Sequence, residues 1–311
     1  MQTTAVVLEE PGSIALRELP LAQPTADDVV VDVSWTGIST GTERLLYTGR
    51  MPQFPGMGYP LVPGYESVGV VSQAGAASGL SEGEMVFVPG AKCFGDDVRC
   101  LFGGSARKLV VPGARVISLD SGLAEQGALM ALAATAQHAI GEHAVPDLIV
   151  GHGVLGRLLA RLTLAHGQPA PVVWETNPMR RSGAEGYAVI DPSEDARKDY
   201  RAIYDVSGAK GLLNDLISRL APMGEVVLAG FYEEPLSFDF PAAFMREARI
   251  RVAAQWQATD SATVKRLVEA GQLSLGGLIT HTQDAANAND AYRTAFEDAS
   301  CLKMILDWRA F

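Results

Sequence analysis

"DLIVGHGVLGRLLA", residues 147–160, is the stretch on which the fold of this 311-residue chain turns. An apolar run stops at Gly151, two further glycines follow in the spacing Gly151-x-Gly153-x-x-Gly156, and a helical pattern begins. Taken alone, the pattern fits any strand-to-helix turn, so the flanks decide. Val154, Leu155, Leu158, Leu159 and Leu162 fall on one helical face, with Arg157 and Arg161 on the other. Gly167 and Pro169 stop the helix, "APVVWET" (170–176) supplies a second strand, and Glu175 stands at its end, 24 positions after Gly151.

Strand, glycine turn, amphipathic helix, strand and terminal acid together predict a dinucleotide cradle. Gly151 permits the tight turn, Gly153 lets the main chain approach a diphosphate, and Gly156 lets helix and strand pack closely. The first helical positions, Val154 and Leu155, offer free N–H groups to the anion, and His152 lies beside it inside the turn. Glu175 is expected to accept hydrogen bonds from the adenosine ribose and to repel the extra phosphate of NADP, which makes NAD the expected cofactor. Arg180 and Arg181 leave a second reading open: they either meet such a phosphate or form a solvated helix start.

Outward from this unit, "YAVIDP" (187–192), "RAIYDVSG" (201–208), "GEVVLAG" (224–230) and "RIRVAAQW" (249–256) add strand candidates, and "GLLNDLISRLAPMG" (211–224) reads as helical. Alternating strands and helices imply an α/β, doubly wound parallel sheet. Residues 1–122 have another texture: short β-branched runs broken by Gly and Pro, such as "DDVVVDVSWTG" (27–37), "YESVGVVSQAG" (65–75) and "RKLVVPG" (107–113), predict an antiparallel, barrel-type β domain. After two helical patterns, "DSATVKRLVEAG" (260–271) and "AANANDAYRTAFED" (285–298), the chain ends on a strand-like "CLKMILDW" (301–308), a strand too many for a finished Rossmann sheet. The expected organisation is therefore a β domain over 1–122, a Rossmann domain over 123–258, and a segment 259–311 returning to the first domain.

The bulk properties bound the function. A formal charge of −11 argues against a nucleic-acid partner, because such binding needs concentrated Lys and Arg. The longest apolar runs fall short of the roughly 20 residues of a membrane helix, and the start lacks the basic-then-apolar pattern of a signal peptide, so no membrane span and a cytoplasmic location are expected. Three cysteines, Cys93, Cys100 and Cys301, read as reduced thiols.

The two-domain plan resembles the medium-chain dehydrogenase/reductase superfamily, with a GroES-like catalytic domain. "GISTGTERLL" (37–46) is similar to that family's "GIC-GTD" segment, and "PLVPGYESVGVV" (60–71) to its "P-x-x-x-G-H-E-x-x-G-x-V" signature. "LITHTQDAANANDAY" (278–292) with the terminal strand resembles the family's C-terminal return. The resemblance implies a catalytic zinc held by Cys, His and a third Cys or Glu, but here those positions carry Ser39 or Thr40, Tyr65 and the neighbourhood of Ala131. No thiolate or imidazole remains, and Cys93 with Cys100 makes a poor structural site, so the expectation is an enzyme without metal. The segment 37–69 resembles more closely the 3-hydroxyethyl bacteriochlorophyllide a dehydrogenases of the zinc-free branch. That implies NAD-linked oxidation of a 3-(1-hydroxyethyl) group on a magnesium-chlorin pigment precursor to an acetyl group, and by superfamily analogy a homodimer.

Oxidising the alcohol without zinc requires a side chain for the proton. Tyr65 replaces a zinc ligand and is the first candidate, its phenol lowered by a nearby cation, with Lys92 the candidate donor of that charge. Thr42 matches the family's proton-relaying hydroxyl, with Ser39 beside it. Glu66 matches the signature carboxylate and either orients Tyr65 or Thr42 or serves the β domain, and Glu43 reads as structural. His138 is a packing histidine or, alternatively, the proton acceptor. Residues 51–65 concentrate Met, Phe, Tyr and Pro, as an apolar rim for a flat macrocycle or as a packed loop. Two rival functions stand beside this one: a zinc-free quinone or enoyl reductase using NADPH, and a non-catalytic nucleotide-binding pigment carrier.

Overall fold

The computed structural model describes every residue except Phe54, and the chain divides into two compact units, residues 132–277 and residues 1–131 with 278–311. The helix Ala258–Glu269 thus belongs with the Rossmann unit, whereas the sequence reading began the returning segment at 259. Its inward residues, Ser261, Val264 and Leu267, recur at a helical spacing that fits either unit, so periodicity could not place it.

In the Rossmann unit, six parallel strands run in the order Ala188–Ile190, Val172–Trp174, Leu148–Val150, Tyr200–Asp205, Leu220–Leu228, Arg249–Val252. By order of appearance this is 3-2-1-4-5-6, a doubly wound sheet in which the order of strand addition reverses between the strand before the glycine turn and Tyr200–Asp205. Leu148, Ile149 and Val150 are buried, as expected of a central parallel strand covered on both faces. Val154, Leu158, Leu159 and Leu162 bury one face of helix Val154–Ala165, and Arg157, on the other face, is buried as well, at 4% exposed. The helix expected over 211–224 spans only Leu213–Ser218, and a strand starts at Leu220. Pro222 disfavours helical geometry at Ala221, so the apolar periodicity outlasted the helix.

The first unit contains two open sheets. Ser13–Pro20, Gln2–Glu10, Leu61–Pro63 and Arg99–Leu101 form one. The other centres on Asp28–Ile38, which pairs with Ser67–Ala74 on one side and with Lys108–Pro112 and Met304–Asp307 on the other. Neither sheet closes into a barrel among the described residues, and Leu61–Pro63/Arg99–Leu101 and His281–Asp284/Met304–Asp307 are parallel pairs within the unit expected to be antiparallel. The terminal strand brings Met304, Leu306 and Trp308 into a core shared with Val29, Val31, Val71 and Leu109. Among the described residues no helix is long and apolar enough to cross a membrane.

Candidate active site

In the first unit, a cluster of hydroxyls and charges forms where the strand Asp28–Ile38 ends. Gly37 faces Glu66 so closely that a Cβ there would sit 2.1 Å from Glu66 Oε2. The turn then delivers Ser39, and the helix Thr42–Tyr47 starts at once. Ser39 Oγ and Tyr65 Oη are 2.8 Å apart, and Thr42 N–H donates to Ser39 Oγ at 3.3 Å. Tyr65 packs edge-on against Phe102, with ring centroids 5.4 Å apart. Three of the expected site residues, Ser39, Thr42 and Tyr65, therefore meet in one hydrogen-bonded set.

The charges behind them differ from expectation. Lys303 Nζ donates to both Glu66 oxygens, at 2.9 and 2.6 Å, and to the Ile38 carbonyl at 3.2 Å. Lys303 and Glu66 are 1% and 0% exposed, so the pair neutralises itself inside the fold. Glu66 is thus spent on Lys303 and does not orient Tyr65 or Thr42 by hydrogen bonding. Burial, reinforced by the Glu66 charge, raises the Tyr65 phenol well above its ordinary range, contrary to the expected lowering. Lys92 lines a small cavity with Asp28, Cys93 and Arg115, and the charges that act on the phenol are those of Glu66 and Glu43. Glu43 accepts from Ser39 N–H at 3.2 Å and from the Tyr292 hydroxyl, and burial pushes its carboxyl up to about 7.

The expected rim over 51–65 is mostly a packed loop. Met51 is buried with Leu8, Leu46, Leu61 and Leu101, Met57 and Tyr59 pack on the same cluster, and Phe54 lies outside the described residues.

In the second unit the glycine turn has the geometry its spacing predicts. Gly151 adopts φ +105°, open to glycine and strained for other residues. A Cβ on Gly156 would meet the Gly151 carbonyl oxygen at 1.9 Å, so only glycine lets the helix seat here. A Cβ on Gly153 would meet nothing within 4 Å, and the helix that starts at Val154 has no side-chain cap for its first-turn N–H groups. Glu175 lies across the turn, its Oε2 accepting from His152 N–H at 3.1 Å and its Oε1 from Asn177 N–H at 2.8 Å.

His152 is fully buried. Its Nδ1 lies 2.6 Å from the Arg180 carbonyl and its Nε2 2.8 Å from the Tyr187 hydroxyl, and burial lowers its pKa to about 4. Arg181 is held by the Glu175 and Thr176 carbonyls and by Asp191, so it is not a solvated helix start. His138, on helix Met130–Ile140, is 2.9 Å from Asp260, whose carboxylate also caps the helix Ala258–Glu269 through Gln257 N–H at 2.7 Å. That gives His138 a packing partner within its own unit.

Residues 25–121 match the Alcohol dehydrogenase GroES-like domain family. A "2-desacetyl-2-hydroxyethyl bacteriochlorophyllide A dehydrogenase" of Rhodobacter capsulatus is 56% identical over 99% of this chain and 99% of its own length. The protein of the same name from Cereibacter sphaeroides is 56% identical over 100% of this chain and 99% of its own. The chain belongs to this dehydrogenase family. The family lies within the medium-chain dehydrogenase/reductase superfamily indicated by the GroES-like domain. At fold level, L-idonate 5-dehydrogenase of Escherichia coli superposes with a TM-score of 0.85 at 19% identity, covering 99% of each chain.

The sequence reading missed Lys303, Tyr292 and Arg157. Lys303 was visible as a charge standing among Cys301, Leu302, Met304, Ile305 and Leu306 in the terminal stretch. Tyr292 fell on the buried stripe of its helix with Ala288, Ala291 and Ala295, where a polar tip requires a partner.

Proposed function

We propose that this chain oxidises the hydroxyethyl side chain of a bacteriochlorophyllide-type magnesium-chlorin to the acetyl group, with NAD as the acceptor. The full-length 56% identity to dehydrogenases named for that substrate carries the reading, and the geometry of both units is compatible with it. In the second unit the open space at Gly153, the uncapped helix start and the pinned Glu175 carboxylate fit a diphosphate and a ribose diol. The fixed negative charge of Glu175 and the engagement of Arg181 with Asp191 favour NAD over NADP.

NAD bound at the glycine turn would supply the hydride acceptor for the carbinol carbon. The chain's own task is the proton of the alcohol oxygen, and Tyr65, Ser39 and Thr42 form its path. Because Tyr65 stays a neutral phenol, it acts as a relay: it accepts the alcohol's proton while its own passes to Ser39 Oγ, 2.8 Å away, and the Ser39 hydroxyl proton leaves in turn to bulk water by way of the half-buried Thr42, so that each hydroxyl ends neutral. No metal takes part in this reading. Catalytic zinc needs thiolate, imidazole or carboxylate donors, and the positions concerned hold two hydroxyls already bonded to each other and the buried methyl of Ala131.

The reading also includes a cytoplasmic location and a homodimer. For the dimer, strand Arg249–Val252 ends the six-stranded sheet with an edge left unpaired among the described residues, and Val252 in it and Phe240, Phe244 and Met245 on the preceding helix are 72, 67, 65 and 76% exposed.

The test is incubation of the purified chain with the hydroxyethyl pigment and NAD, following NADH and the pigment spectrum, with metal content measured on the same sample. Wild type is expected to form NADH and shift the spectrum without stoichiometric zinc. Tyr65→Phe should lower turnover roughly hundredfold with NAD affinity intact. A spectral shift without NADH points to a carrier, NADPH-dependent reduction of a conjugated carbonyl to a reductase, and unchanged turnover in Tyr65→Phe removes it from the path.

A further inference from the structure

Arg157 lies in the first turn and a half of the helix that leaves the glycine turn, and its guanidinium is almost wholly inside the protein. Its four hydrogen bonds all go to main-chain carbonyls: Nε to His152 at 3.1 Å, Nη1 to Gly183 at 3.2 Å, and Nη2 to Arg180 at 3.0 Å and Ser182 at 2.8 Å. One acceptor is in the glycine turn, and the other three are in the loop that follows Glu175. A rigid five-donor fork suits such a multi-point clamp, and lysine would not replace it.

His152 repeats the connection from the turn side. The Arg180 carbonyl only accepts, so Nδ1 carries the proton, and Nε2 accepts from the Tyr187 hydroxyl. The main-chain N–H of the same residue holds Glu175 Oε2. Gly183 fits the arrangement, with φ +78° and a Cβ that would lie 2.6 Å from Arg157 Nη1.

We propose that Arg157, with His152 and Tyr187, is a positioning residue for cofactor selection, clamping the 180–183 loop to the glycine turn so that Glu175 meets a ribose diol. This rests on the dinucleotide reading of the turn. Discrimination against a 2′-phosphate depends on the carboxylate staying in place and on Arg181 staying turned away. Arg181 is turned away through its bonds to the Glu175 and Thr176 carbonyls and Asp191. Release of the clamp lets the loop move, which costs NAD its partner and gives NADP access to basic groups.

Direct binding of NADH and NADPH to the full chain, measured by calorimetry or nucleotide fluorescence without substrate, tests this. Wild type should prefer NADH. Arg157→Ala should bind NADH about tenfold more weakly, the size of one lost charge-assisted hydrogen bond, while NADPH binding holds or tightens. Methylguanidine at non-denaturing concentration should restore the NADH preference. Tyr187→Phe, which keeps the ring and loses the donor to His152, should shift the ratio the same way by a smaller factor, and it decides the matter if Arg157→Ala does not fold. Equal weakening of both nucleotides in Arg157→Ala, or an unchanged ratio in Tyr187→Phe, overturns the clamp alone. A wild-type chain that takes up no NADH overturns the dinucleotide reading together with it.

Discussion

Two buried titratable residues give the protein opposed pH dependences. Glu43 has its folded pKa raised from 4.5 to about 7, so its contribution to stability is complete below 4.5 and is lost as pH rises through about 7. His152 has its pKa lowered from 6.5 to about 4, so its contribution is complete above 6.5 and is lost as pH falls toward 4. Between 4.5 and 6.5 the two slopes offset each other, and from 6.5 to about 7 only the Glu43 loss remains. Glu43→Gln should therefore remove the falling limb, so that stability in urea rises with pH across this window where wild type is nearly level. Parallel wild-type and variant curves would show that Glu43 does not titrate in that range. Other buried groups mark what the sequence could not convey: the sign of the Tyr65 shift is set by burial and by Glu66, and Lys303 reaches Glu66 across 237 positions of chain.

The glycine turn, as an element, separates packing from binding. Gly156→Ala places a methyl group against the Gly151 carbonyl and should destabilise the chain by roughly 1–3 kcal/mol through overpacking, read as a lowered urea midpoint. Gly153→Ala meets no protein atom within 4 Å and its φ of −75° is allowed to alanine, so stability should stay within about 0.5 kcal/mol while NADH affinity falls. If Gly153→Ala binds NADH as tightly as wild type, the open space beside it is not where the diphosphate lies. This element was legible in the sequence because its parts are local: the turn, the cap and the first strand lie within fourteen residues, and glycine is required by short-range sterics. The helix Leu213–Ser218 was overextended for the complementary reason, since apolar periodicity continues into a strand that follows with one residue between them.

For the whole molecule, the unpaired edge at Arg249–Val252 and the adjoining phenylalanines set an association test. Phe240 and Phe244 stack with centroids 5.7 Å apart on a helix that leads directly into that strand. Light scattering on the wild type should give twice the chain mass, and Phe244→Asp with Val252→Lys should give the monomer, since a charge on an edge strand opposes pairing. A wild type that runs as a monomer at micromolar concentration removes the homodimer from the reading.

The sequence by itself determined the elements whose causes are near-neighbour: the strand periodicities, the strand–turn–helix unit at Gly151, and the acid Glu175 at the end of the second strand. Tertiary structure alone decided which residues share a site. It brought Lys303 and Tyr292 from the returning segment to Glu66 and Glu43, turned Arg157 inward onto four carbonyls, and placed the helix Ala258–Glu269 with the Rossmann unit. The physical reason is that burial and electrostatics depend on which groups surround a side chain in space. Those surroundings are assembled by long-range packing, which spacing along the chain does not encode.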